Sequence, residues 1–196
     1  MIRFVVARYQ ENVDWTNGLP HAIIYNKGTT PPNSRHPSIS LPNLGREGLT
    51  YLHHIIENYD KLDDYTCFLQ GNPFDHTPRL EQRITSFQQK LDAGQAVLGY
   101  EPLSKNIYTI NLCYDITDFS LHALLIDTYR KVFGRSKTDH TFAFAAGAQF
   151  IVSRETIRSR PKSFYEAIVP LMSYSVHPPE GFALERFWGM IFTHGE

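Results

Sequence analysis

The sequence predicts a single α/β domain, a mainly parallel sheet flanked by helices. Three observations carry this. Short β-branched and aromatic runs at Ile2–Ala7, Ala22–Asn26 and Tyr65–Leu69 have strand length and no helical period. Apolar residues at helical spacing follow, first at Leu49, Leu52, His53, Ile56 and Tyr59. The opening order of strand, loop, strand, loop, helix, strand is that of parallel strands joined by crossovers. At 196 residues the chain is long enough for one full core and short for two, so residues 1–196 are read as one domain.

Each element has its own warrant. Arg8-Tyr9-Gln10-Glu11-Asn12 leaves the first strand as a polar loop, and Lys27-Gly28 ends the second. Thr29 to Ser40 holds three prolines and several hydroxyl residues and reads as a loop. A helix runs through Asn58, and Asp60 to Asp64 connects it to the third strand. Leu80, Ile84, Phe87 and Leu91 mark a second helix. Ala96–Tyr100 and Ile107–Tyr114 are weaker strands. Leu121 to Phe133 is a helix. Phe142 to Val152 is apolar but interrupted by Gly147, as in a strand pair or a bent strand. Arg154–Arg160 is a short basic helix stopped by Pro161, and Phe164–Tyr174 is another despite Pro170. Pro178 to Gly181 forms a turn before a final helix, Ala183–Phe192.

Composition excludes some functions. With 19 basic and 20 acidic residues the net charge is −1, which argues against a nucleic-acid or membrane-surface binder. No run approaches the ~20 apolar residues of a membrane span. Cys67 and Cys113 lie in apolar runs, as expected of a reducing compartment, and there is no four-ligand zinc pattern. A cytoplasmic protein is expected.

Polar residues gather at strand ends and helix starts. The densest group follows the third strand: Gln70, Asn72, Asp75 and His76. These types hydrogen-bond a sugar or ribose, coordinate a hard cation, or do both. They fit equally an Asn-Pro turn with solvated side chains. Arg8, Tyr9 and Glu11 leave the first strand, Tyr25 and Lys27 close the second, and Asn43, Gly45 and Arg46 precede the first helix. In a parallel sheet such ends converge on one edge, where ligands bind. Arg8, Lys27 and Arg46 would add positive charge there, beside the free N–H groups of a helix N-terminus. A nucleotide or nucleotide-sugar pocket is one reading; solvated cations paired with Glu11 or Glu47 are the other. Gly147-Ala148 permits close approach of backbone or ligand. Glu185 opens an apolar helix, as a general base in a pocket or as an acid complementing the helix dipole.

The strings Val5 to Glu11, Ile24 to Gly28, Leu41 to Gly48, Tyr51 to Ile56, Phe68 to His76, Gly147 to Arg154 and Leu184 to Trp188 together resemble a family of uncharacterised proteins from fungi, bacteria and large viruses. The family is similar in turn to glycosyltransferases of the Rossmann-related GT-A fold, and to the N-terminal glycosyltransferase domain of a multidomain algal-virus enzyme. The resemblance covers nearly the whole chain. It implies a nucleoside-diphosphate sugar, uridine above others, lying across the C-terminal edge of the sheet. A glycan or other hydroxyl compound would be the acceptor. Arg8, Tyr9 and Glu11 would face base and ribose, and Lys27 and Arg46 the diphosphate. Gly147 and Ala148 would shape the acceptor side, with Glu185 as base. The resemblance also implies Mn²⁺ or Mg²⁺ on the diphosphate. Where an Asp-x-Asp motif would hold it, this chain has Gln70-Gly71-Asn72, whose neutral amides are weak ligands for a hard dication. Asp75, His76 and the late His194 are then the candidate ligands. Two rivals stand beside this expectation: a metal-dependent hydrolase using Asp75 and His76, and a non-catalytic nucleotide-sugar-binding module.

Overall fold

The computed structural model describes residues 1–95, 97–112 and 119–196. Eight strands are β1 (Ile2–Arg8), β2 (Ala22–Asn26), β3 (Ser38–Ser40), β4 (Tyr65–Gln70), β5 (Tyr100–Pro102), β6 (Ile107–Asn111), β7 (Thr141–Ala145) and β8 (Phe150–Ser153). Six of them form one sheet in the order β3-β2-β1-β4-β8-β5, and β6 pairs with β7 in a second, antiparallel sheet. β3, β2, β1 and β4 run parallel, while β8 runs antiparallel to both β4 and β5. The helices are α1 (Arg46–Asn58), α2 (Leu80–Asp92), α3 (Phe119–Phe133), α4 (Arg154–Arg158), α5 (Lys162–Met172) and α6 (Pro179–Thr193).

Both faces of the central sheet are covered. Val5, Phe68 and Phe150 pack against a core shared with α1, α3, α5 and α6. Phe4, Val6, Cys67, Leu69 and Ile151 face the other way, onto Leu80 and Phe87 of α2. A strand buried on both faces has no polar alternation, which is why β1 and β4 read as unbroken apolar runs. Trp188 and Phe192 of α6 stack with ring centroids 5.7 Å apart and press on Phe150, so α6 is anchored through its apolar side.

Several elements depart from expectation. The Thr29–Ser40 loop ends in β3, a three-residue exposed edge strand that needs only β2 as neighbour. The strand expected at Ala96–Tyr100 is displaced to β5; Ala96 lies outside the described residues. The Ile107–Tyr114 strand ends at Asn111 in the small sheet, and Cys113 and Tyr114 lie outside the described residues. Phe142–Val152 is two strands, β7 and β8, as one of its two readings had it, but they pair in different sheets and not with each other. Pro178–Gly181 is less a turn than a helix start: Pro179 occupies the first helical position, where its missing N–H costs nothing. Pro170 sits on the exposed side of α5, so the carbonyl it frees faces solvent. Among the described residues no helix is long and apolar enough to cross a membrane.

Candidate functional site

The chain runs from β1 to β2 to β3 on one side, then returns to place β4 on the other side of β1. Such a reversal opens a crevice at the C-terminal strand ends. Register puts Arg8 opposite Asn26 and Ala7 opposite Gln70, so the three strands end level. A cleft of about 630 Å³ lies there, within the usual range for a ligand site. Its wall brings together Arg8, Tyr9 and Glu11 after β1, Lys27 after β2, Asn43 and Arg46 before and at the start of α1, and Gln70, Asn72 and Asp75 after β4.

These residues do different work. Arg8 is buried and spends its donors internally: Nε on the Glu11 carbonyl (2.9 Å), Nη1 on Asn26 Oδ1 (2.6 Å) and the Thr30 carbonyl (2.8 Å), Nη2 on Thr30 Oγ1 (3.2 Å). It is a strut between the two loops that lines the cleft, more than a free cation. Gly28 lies beneath it: a Cβ there would fall 1.6 Å from the Tyr9 carbonyl oxygen. Glu11 Oε2 accepts the Tyr9 N–H at 2.6 Å, and Gly71 leaves room for that carboxylate. Tyr9 itself is 46% exposed at the rim.

Lys27 braces the start of α1. Its Nζ donates to the Leu44 carbonyl (2.5 Å) and to the Arg46 carbonyl. Gly45 and Arg46 both have positive φ, at 64° and 48°, and the Gly45 N–H is tied to the Ser175 carbonyl at 2.9 Å. Burial pushes the Lys27 ammonium down to about 8, against the opposing pull of the Glu47 charge. Arg46 is freer: its guanidinium is 45% exposed, with Nε 3.7 Å from Glu47 Oε2. On the far wall, Asn72 Nδ2 donates to Asp75 Oδ2 at 3.3 Å.

Glu185 lies on α6, near enough for its charge to act on Glu47, but outside the cleft wall. Its Oε1 accepts the Gly147 N–H at 2.6 Å, and its Oε2 is 3.9 Å from Arg186 Nη1. Gly147 has φ 90°, and its missing Cβ would fall 2.4 Å from Cγ of His76. His76, the Gly147 turn and Glu185 are therefore layered together, outside the cleft wall that Asp75 lines. The turn continues through Ala148, buried and also left-handed at φ 49°. The Ser-Arg end of this segment is structural: Ser153 caps α4 through the Thr156 N–H, and Arg154 pairs with Asp64.

Of the expected residues, His76, Gly147, Ala148 and Glu185 do not line the cleft itself, and Tyr25 and His194 lie elsewhere. Tyr25 is core: it faces α1, with its hydroxyl 3.0 Å from His54 Nδ1, and burial pushes that histidine down to about 4. His194 ends α6 and meets Ser159 Oγ at 2.7 Å, away from Asp75 and His76. Asp75, His76 and His194 thus form no shared ligand set, and no group of three metal-ligating side chains occurs among the described residues.

Beyond Ala7 and Gly71, which adjoin expected residues, three cleft residues were not expected. Glu47 lines it from the first turn of α1, where the sequence suggested only an ion-pair partner for nearby cations. An acid beginning a helix that faces strand ends was the available signal. Val176 and His177 come from the α5–α6 connection and reach the cleft through the tie from Ser175 to Gly45, which no local pattern announces.

Residues 4–196 match a family described as a protein of unknown function (DUF3431). The chain belongs to this family. No curated protein and no solved structure matches it. Membership in DUF3431 carries no activity with it, so any function must be argued from the cleft.

Proposed function

We propose that the protein is a glycosyltransferase of GT-A-like fold that moves a sugar from a nucleoside diphosphate, uridine diphosphate foremost, to a hydroxyl acceptor. The observation that carries this reading is the cleft at the β1/β4 reversal, which combines cations, a helix start, amides and carboxylates. Tyr9 offers its ring to the base. Arg46, Lys27 and the first N–H groups of α1 receive the diphosphate. Gln70 and Asn72 hydrogen-bond ribose or sugar, and Gly147 and Ala148 shape the acceptor side. In the transfer, the acceptor oxygen bonds to the anomeric carbon as the bond from that carbon to the phosphate oxygen breaks. The nucleoside diphosphate leaves with the bonding pair, and Glu185 takes the acceptor proton.

A divalent cation would be held mainly by the substrate's own phosphates, with Asp75 as protein carboxylate and the weaker Gln70 and Asn72 amides beside it. Mn²⁺ or Mg²⁺ so held would neutralise the leaving diphosphate.

Uridine diphosphate is expected to raise the melting temperature, since a ligand of the folded state stabilises it. Arg46→Ala is expected to weaken that binding by about 1.5 kcal/mol, the low end for a charge-assisted contact because Arg46 is half-exposed. Equal affinities by calorimetry would take Arg46 out of the site.

Diphosphate affinity is also expected to depend on pH. Lys27 is charged below about 8 and neutral above it. An anion favours the charged form, so affinity falls as pH rises through that value, by up to about tenfold per unit. Calorimetry between pH 7 and 9.5 reads this directly, and a flat profile would assign Lys27 to bracing α1 alone.

One observation favours the binding-module reading: Glu185 already serves the Gly147 N–H. Donor binding without transfer to any hydroxyl acceptor would select it.

A further inference from the structure

We infer that Glu47 is a substrate-binding carboxylate that accepts hydrogen bonds from hydroxyls of the sugar being transferred. The inference rests on the glycosyltransferase reading and adds to it the end of the cleft that holds the sugar.

Glu47 differs from an ordinary helix-start acid. Such an acid sits in solvent and gains only from the helix dipole. Glu47 lines the cleft, and its side chain is only 13% exposed. Its partners do not match that burial. Arg46 Nε is 3.7 Å away, too far for a hydrogen bond, and Glu47 otherwise meets its own backbone N–H. Burial first, and then the charge of Glu185, press its carboxyl above the usual range; Arg46, its own N–H and Lys27 act the other way.

A second observation lies one helical turn further on. Tyr51 is four residues after Glu47, on the same face of α1, and wholly buried. Its hydroxyl has no hydrogen-bond partner among the described residues, and it feels the charges of both Glu47 and Glu185. Glu47, in the cleft wall, and Tyr51, buried on the same face of α1, therefore both lack a hydrogen-bonding side-chain partner among the described residues. Of the two, only Glu47 opens on the cleft, so it is the group to which a ligand can supply the missing donors.

The chemistry of that partner follows. Phosphate oxygens only accept hydrogen bonds and would be repelled by Glu47. Sugar hydroxyls donate, and one carboxylate can accept two of them in bonds strengthened by its charge. The diphosphate then lies on the Arg46 and Lys27 side. The sugar lies toward Glu47, with its anomeric carbon between the diphosphate and the Glu185–Gly147 pair.

The test is calorimetry of the whole chain and of Glu47→Ala and Glu47→Gln. The probes are uridine diphosphate and its conjugates with glucose, galactose, N-acetylglucosamine and xylose. The wild type should bind at least one conjugate tighter than uridine diphosphate alone. Glu47→Ala should lose that advantage, about tenfold or more, while its affinity for uridine diphosphate is kept or improved. Glu47→Gln, which keeps side-chain shape, should lose part of it; it carries the test should the alanine variant fail to fold. Undiminished preference for the conjugate in a folded variant overturns the role of Glu47 and leaves the glycosyltransferase reading standing. A wild type that binds uridine diphosphate but prefers no conjugate overturns the sugar subsite. A wild type that binds none of the probes overturns both.

Discussion

Glu185→Gln is expected to lower sugar transfer by about 10²–10⁴-fold, the usual cost of removing a general base. The substitution is a clean probe because of what Glu185 holds. Its Oε1 accepts the Gly147 N–H, and the amide oxygen of glutamine accepts the same bond. The Gly147 turn should therefore stay in place, and with it the neighbouring His76. What glutamine cannot do is take a proton from the acceptor hydroxyl. Donor affinity and melting temperature should stay close to wild type while the transfer rate falls. Transfer near the wild-type rate would end the base assignment. Loss of the fold would show that the carboxylate serves the turn, and Glu185→Asp would then separate length from charge.

Gly28→Ala is expected to cost about 3 kcal/mol of stability, the upper end for forcing extra volume into a packed site. The new Cβ would fall 1.6 Å from the Tyr9 carbonyl oxygen, a backbone atom that no side-chain rotation can move away. The loops after β1 and β2 would have to separate. That would strain the Arg8 bonds to Asn26 and Thr30, and with them the cleft wall. Chemical denaturation should show a lowered midpoint, and nucleotide affinity should fall with it. An unfolding free energy within about 0.5 kcal/mol of wild type would mean that the two loops yield freely.

Much of this architecture could be read from the chain. β1 and β4 are buried on both faces, so their sequences are continuous apolar runs. The polar turn after Gln70 announces itself because Gly71 and Pro73 stop the strand abruptly. Other features have no local signature. β3 is Ser-Ile-Ser at an edge, satisfied by one neighbour and exposed throughout. The break between β7 and β8 rests on two consecutive left-handed residues, and the second is an alanine, which carries no hint of that conformation. Tyr25 resembled a site residue because it ends a strand beside Asn26 and Lys27. Strand alternation turns it toward α1, and only the packing of His54 reveals that. His194 was expected as a metal ligand from the resemblance alone; it caps the end of α6 and is turned to Ser159. Glu47 was visible as an acid, but its burial depends on α6 arriving beside α1.

The placement of β8 also has a consequence for synthesis. β5 joins the central sheet only through β8, which is made about fifty residues later. A nascent chain emerging from the ribosome has β1 to β4 in hand, yet β4 presents an open edge until β8 is translated and inserts. Such pairings across long stretches of sequence raise contact order and slow folding. An open edge strand in the interim is a template for pairing with other chains. Production of the protein should therefore be most sensitive to chaperone supply and temperature during synthesis of its last third.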